Sequence, residues 1–247
     1  RDQSRGLGDV YKRQEMDDSL RSGILSSEEF LQGISRERVG MEMAKILTGE
    51  NVHSIISQML SLGVLDRVFE NIHLELPPEL STEYLVNLAL LFRNSELSGE
   101  ELASKMRDLL VLSKNDLLEI SIMHECRYLS LDVTIESARR FHAAVPDRRK
   151  RLIMSYLEKN GIETEEFDKL LRSINPGDLI LNPIVNGERL AIVTGLAPGP
   201  RLGRLKGWLH RRQVEEASRT EEDVLQFLLD IDWKSSDYQE WRALSWP

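Results

Sequence analysis

The stretch Ile34-Ser35-Arg36-Glu37-Arg38-Val39-Gly40-Met41-Glu42-Met43-Ala44-Lys45-Ile46-Leu47 decides how the chain is read. Ser35 is placed to cap a helix by accepting a hydrogen bond from a free backbone N–H of the first turn. Behind it Val39, Met43, Ile46 and Leu47 recur at helical spacing and form one apolar stripe. Glu37, Arg38, Glu42 and Lys45 fall on the remaining faces, with Arg38 and Glu42 spaced as an i,i+4 ion pair. A full capping box asks for Glu or Gln three residues after the cap. Arg38 stands there, so a one-sided cap is expected. Taken alone, the segment reads as an amphipathic helix.

Outward from it, the signals stay helical. Capping-box spacings occur at Ser26/Glu29 and Ser98/Glu101, with an Asp variant at Ser113/Asp116, and each opens an apolar-periodic run. Gly49, Gly63, Gly161 and Gly195 follow such runs as helix stops. Alternating β-branched stretches are absent, and residues 180–185 form the one ambiguous patch, broken by Pro183. The expectation is an all-α, elongated array of about ten to twelve helices. Breaks at Leu76-Pro77-Pro78 and Asn175-Pro176-Gly177 divide it into 15–76, 77–175 and 176–247.

Composition bounds the class. With 41% apolar and 30% charged residues the chain can build a core and a solvated surface. No run approaches the roughly 18 apolar residues that span a bilayer. A single cysteine, Cys126, excludes an internal disulfide and a multi-cysteine zinc site, in keeping with a reducing cytoplasm. His53, His73, His124, His142 and His210 are scattered without metal-ligand spacing, and no bound cofactor is expected.

A second segment adds to the first: Asn182-Pro183-Ile184-Val185-Asn186-Gly187-Glu188-Arg189-Leu190, then Thr194-Gly195-Leu196-Ala197-Pro198-Gly199-Pro200-Arg201-Leu202-Gly203-Arg204-Leu205-Lys206. It is followed by Gln213-Val214-Glu215 and Thr220-Glu221-Glu222-Asp223. The segment at 35–47 resembles the Ser-x-Glu-Arg-(Ile/Val)-x-x-Glu-(Leu/Met)-x-Lys-(Ile/Leu)-Leu signature of bacterial-type CCA-adding tRNA nucleotidyltransferases and poly(A) polymerases. The downstream segment is similar to that family's C-terminal Gly-Leu-x-Pro-Gly-Pro turn and the helices around it. The order and separation of the two also resemble the family's, with looser similarity at 85–93 and 106–129. The resemblance implies neck-like (15–76), body-like (77–175) and tail-like (176–247) parts that grip RNA, with Ser35, Glu37, Arg38, Glu42 and Lys45 as mainly structural signature residues.

In that family the chemistry belongs to a head domain preceding the signature, which binds magnesium through an Asp-x-Asp pair and takes CTP and ATP. Those motifs are missing in context. Asp230-Ile231-Asp232 has the spacing without the Gly-rich turn, and Asp17-Asp18-Ser19-Leu20-Arg21 only superficially matches the base-reading element. No catalytic residue is therefore expected here. The head is expected upstream, and magnesium is implied for it alone. Residues 1–14 read either as a translated sequencing-adapter remnant or as a flexible basic arm, and are left out of fold reasoning.

The net charge of −9 has the wrong sign for a protein that coats itself in nucleic acid. The basic residues are concentrated, however. Within 139–151, Arg139, Arg140, Arg148, Arg149, Lys150 and Arg151 oppose only Asp147. Within 183–213, Arg189, Arg201, Arg204, Lys206, Arg211 and Arg212 oppose only Glu188. Such islands read as a phosphate track or as solvated helix faces. The second is favoured as a track, because its Gly-Pro turn leads into a helix N-terminus carrying Arg201 and Arg204. Trp208 reads as a core residue or as a stacking platform. The expected partner is the acceptor and TΨC half of tRNA, or other RNA, with no DNA and no membrane, and the expected location is the cytoplasm. A poly(A) polymerase relative is the first alternative and an acidic helical scaffold the second.

Overall fold

Among the described residues, every long apolar-periodic run folds as a helix. The computed structural model describes residues 19, 22, 23, 33–70, 72–175, 177, 179 and 181–247. The readings at 1–14, Asp17-Asp18-Ser19-Leu20-Arg21 (apart from Ser19), Ser26/Glu29, Pro176 and Ile180 lie outside the described residues. Among those described there are twelve α-helices, three short 3-10 turns and no strand, so the fold is all-α. No helix among them is long and apolar enough to cross a membrane. The chain separates into two compact units, the first ending at Arg127 and the second spanning Tyr128–Pro247.

In the first unit, α1 (Arg36–Leu47), α2 (Val52–Ser61) and α3 (Val64–Val68) are joined by tight turns. Gly63 sits at φ 64°, the left-handed conformation that lets the chain reverse between α2 and α3. An irregular stretch through Pro77 and Pro78 leads to α4 (Tyr84–Leu91), then α5 (Gly99–Leu110) and α6 (Lys114–Glu125). Helix α4 is apolar nearly all round and every residue from Leu85 to Leu91 is buried, which makes it the unit's central rod. It packs on α1 and α6, while α5 packs on α6 and α1. Gly40 is buried where α1 crosses α5, and a Cβ there would run into the Leu110 carbonyl. Phe69 and Phe92 meet edge-to-face at 5.0 Å.

The one polar residue inside α4, Asn87, is fully buried and fully used. Its Oδ1 accepts from Ser81 N at 2.7 Å, and its Nδ2 donates to Ser81 O and Leu47 O, both at 2.7 Å. The last carbonyl of α1 is thereby satisfied, which fixes the signature helix against the central rod.

In the second unit, α7 (Ile135–Ala144) packs on α9 (Glu165–Ser173) and on α11 (Pro200–Glu215), with α8 (Asp147–Lys159) between α7 and α9 in sequence. Phe141 of α7 meets Phe167 and Trp246 edge-to-face at 5.7 and 4.6 Å. Helices α10 (Gly187–Thr194) and α12 (Glu221–Gln226) flank α11, burying Val185, Leu190, Leu202, Leu205, Leu209, Val224, Leu228 and Trp241 together.

Sequence-read caps recur with the expected partners. The Ser35 side chain accepts from Arg38 N, Ser98 and Glu101 make a reciprocal capping box, and Ser113 accepts from Asp116 N. Gly161 and Gly195 take positive φ just beyond α8 and α10.

Candidate nucleic-acid interface

The signature helix presents its charges outward but not in the pairing that spacing suggests. Glu42 accepts from Lys45 at 2.8 Å rather than from Arg38, because the shorter i,i+3 reach along the same exposed face satisfies it first. Arg36 reaches across to Glu70 at 3.1 Å. Glu37 stands in the first turn, where a negative charge suits the helix dipole. Arg38 lies on the rim of an apolar groove of about 550 Å3 formed with Val39, Met43, Met59, Val64 and Val68. Ser35, Glu42 and Lys45 are thus cap and surface, while the stripe behind them builds the fold.

The second segment folds as helix, turn and helix. Asn186 caps α10 by accepting from Arg189 N at 2.8 Å, and Gly195 closes that helix at φ 71°. Pro200 opens α11. The far side of α11 holds the segment before α10. Gln213 accepts from Ile184 N at 2.9 Å and donates to Asn182 O at 3.0 Å, and His210 donates to Leu181 O at 2.9 Å. Burial holds the His210 pKa below its ordinary value, opposed by that hydrogen bond and assisted by nearby Lys206.

The arginines of this island divide into two kinds. Arg201 donates to the carbonyls of Trp233, Lys234 and Ser236 at 2.8, 3.1 and 3.0 Å and lies over the rings of Tyr238 and Trp241. It ties the C-terminal segment to α11. Arg189 pairs with Glu221 at 2.5 Å, tying α10 to α12. Arg211 and Arg212 turn to Glu215, at 2.8 and 3.6 Å. Arg204 is exposed and Lys206 half-exposed, and neither has a partner among the described residues. At 100° per residue the two point to different sides of the helix. Gly203 has open space above it and no protein backbone near. Gly207 is the closely approached glycine of α11: a Cβ there would meet Ala243 Cβ at 2.9 Å.

Buried at the end of α11 is Glu215, which sequence spacing did not single out. Its Oε1 accepts from Arg140 at 2.6 Å and from Arg211 at 2.8 Å, and its carbonyl accepts from Arg139 at 2.5 Å. Arg140 also reaches Asp132 at 3.4 Å. The carboxylate therefore joins the two basic islands, drawing Arg140 of the first and Arg211 and Arg212 of the second around one buried acid, while Arg139 is held by the main-chain carbonyl of the same residue. The Arg211–Glu215 spacing of four was the available signal; the partners on α7, about 75 residues away, carried none.

In the first island, Lys150 pairs with Asp147 at 2.9 Å, and the bond holds the Asp147 carboxyl below its usual range. Arg148 and Arg151 are exposed at the start of α8, and Arg149 is half-buried.

The two aspartates with Asp-x-Asp spacing are engaged within the protein. Asp232 Oδ1 accepts from the backbone N–H groups of Lys234 and Ser235, and Asp230 faces Arg212 at 3.8 Å. Among the described residues no three His, Cys, Asp or Glu side chains gather as a metal would require.

Residues 15–76 match a family described as the probable RNA and SrmB-binding site of polymerase A. RNA is the partner this match supports. The matched quarter of the chain contains the signature helix, α2, α3 and the groove between them, so it is similar to an RNA-binding region of the poly(A) polymerase and nucleotidyltransferase type. No curated protein matches the chain.

Proposed function

We propose that the chain is the RNA-gripping part of a tRNA nucleotidyltransferase that completes tRNA 3′ ends with CCA. The observation that carries this reading is the match of residues 15–76 to the RNA-binding site of polymerase A. It is supported by the helix–turn–helix of α10 and α11, whose sequence resembles the same family far downstream. In this reading Arg189, Arg201 and Arg212 hold the frame, Arg211 is anchored to Glu215 through Nε alone, and Arg204 and Lys206 meet phosphate. Arg148, Arg149, Lys150 and Arg151 offer a second contact at the start of α8. Such a surface tracks backbone and shape, because A-form RNA hides its base edges in a narrow major groove. That suits a protein that must accept every tRNA. Magnesium, CTP and ATP belong to a catalytic domain outside these residues.

Titration of the chain with tRNA across a salt series tests the reading. The Arg204→Gln/Lys206→Gln double variant should weaken binding and lower the slope of log K against log salt by roughly 1–2 units. The loss should be similar for different tRNAs, because phosphate contacts carry no direct sequence information. An unchanged slope sinks the assignment of these residues. The matched family, a site of polymerase A, favours a second reading, a poly(A) polymerase relative acting on general RNA 3′ ends. Competition between tRNA and unstructured RNA separates the two.

A further inference from the structure

One face of α11 carries Arg204, Trp208, Arg211 and Glu215 at successive helical turns. Beside Trp208 the surface opens into a notch of about 400 Å3 lined by Trp208, Arg211, Arg212, Asp230, Glu240 and Arg242, with Asp230 facing Arg212 at 3.8 Å. That is the low end of the ordinary size range for small-ligand sites, so it admits one nucleotide and excludes a duplex. Its floor is Glu215, whose carboxylate is already engaged by arginines.

We propose that this notch takes a single unpaired, amino-bearing nucleobase of RNA, stacked on Trp208 with its phosphates on Arg204, Arg211 and Arg242. The inference rests on the RNA-binding reading and names the kind of nucleotide the second unit selects. Three features converge. Trp208 packs on the core of the second unit with part of its side chain and lines the notch with the half that stays exposed, the part a base would stack on. Arg211 is pre-organised, because its Nε donates to buried Glu215 while its terminal nitrogens have no partner among the described residues. Arg242 is exposed and likewise without a partner among the described residues, and Arg204 stands one turn before Trp208, about 6 Å along the axis. The basic and aromatic groups thus continue the track of Arg204 into the notch. Asp230 and Glu240 supply the selectivity. Carboxylates accept hydrogen bonds from the exocyclic amines of adenine and cytosine, and uracil has no such amine.

The test titrates the chain with single-stranded pentanucleotides of A, C and U and with a fully paired, loop-closed RNA hairpin, reading affinity and intrinsic tryptophan fluorescence. Oligo(A) and oligo(C) should quench fluorescence and bind at least several-fold more tightly than oligo(U). Trp208→Leu should weaken oligo(A) binding by roughly 5- to 150-fold, the range of one lost stacking contact, and remove its share of the quench. Arg242→Gln, an exposed change that spares the core, should weaken oligo(A) and leave hairpin binding within about twofold. Equal binding of oligo(U) and oligo(A), or an unaltered response in both Trp208→Leu and Arg242→Gln, overturns the proposal. Hairpin binding without oligonucleotide binding overturns the notch alone, whereas failure to bind any of these RNAs removes the RNA-binding reading beneath it.

Discussion

Replacing Glu215 with Gln tests whether one buried carboxylate organises the basic half of the second unit. The side chain keeps its volume and one acceptor oxygen, so packing is preserved. What changes is the charge between Arg140 at 2.6 Å and Arg211 at 2.8 Å, with Arg212 at 3.6 Å. Hydrogen bonds to charged groups contribute about 1.5–3 kcal/mol each and neutral ones about 0.5–1.5. Both guanidinium groups stay charged, so their bonds to the amide oxygen keep part of their strength while the compensating negative charge is gone, and a loss of about 1–3 kcal/mol is expected. Glu215→Ala, which leaves the arginines facing no acceptor in a nearly closed site, should cost about 3–5 kcal/mol. Arg140 is only 12% exposed and Glu215 7%, so solvent screening offers little relief. Urea denaturation of the wild type and both variants measures the difference, and a double-mutant cycle with Arg140→Gln isolates the pair. A loss below about 0.5 kcal/mol for Glu215→Gln would place it among ordinary surface changes and refute the reasoning.

Asn87→Leu should destabilise the first unit by about 2–4 kcal/mol, because it strands Ser81 N, Ser81 O and Leu47 O without their partner; urea unfolding checks it. Arg201→Gln should lower the stability of the second unit measurably, whereas Arg204→Gln should leave it within about 0.5 kcal/mol, since the first removes three carbonyl contacts and the second none; thermal unfolding of the pair distinguishes framework from surface. His124 is buried, donates from Nε2 to Leu97 O at 2.8 Å and leaves Nδ1 without a partner, and burial depresses its pKa from 6.5. The unfolded chain then binds the proton more readily, so this contribution is complete above about pH 6.5 and is lost as pH falls below it; His124→Gln should flatten that part of the stability profile. Burial raises the Cys126 thiol to about 11, so the native chain should resist alkylation at pH 8 and react only on unfolding.

The helices were legible because their signals are local. Ser35, Ser98 and Ser113 cap where a three-residue spacing places them, and Thr220 accepts from Asp223 N in the same manner. Partners of the charged residues were not legible. Arg201 reads as a phosphate ligand at a helix N-terminus, yet its acceptors are carbonyls more than thirty residues downstream. Arg38 and Glu42 have ideal spacing, yet Lys45 takes the acid. Charge counting marks where basic residues cluster in the sequence but cannot say which members are spent inside the fold, because a buried acid such as Glu215 draws arginines from two helices at once. Arg204 and Lys206 make no hydrogen bond or ion pair among the described residues, so the fold leaves both available.

The central rod of the first unit has a consequence for the life of the chain before and between its folded states. Leu85-Val86-Asn87-Leu88-Ala89-Leu90-Leu91-Phe92 is wholly enclosed by its neighbours and holds a single polar residue. No charge interrupts it, so nothing in the segment itself keeps it in solution when those neighbours part. Partial opening of α1 or α6 therefore presents a sticky, uncharged ribbon of the kind that seeds self-association and recruits chaperones. Defects at Gly40 or Asn87 will accordingly be met in the cell first as lost soluble protein, well before any change in RNA affinity can be measured.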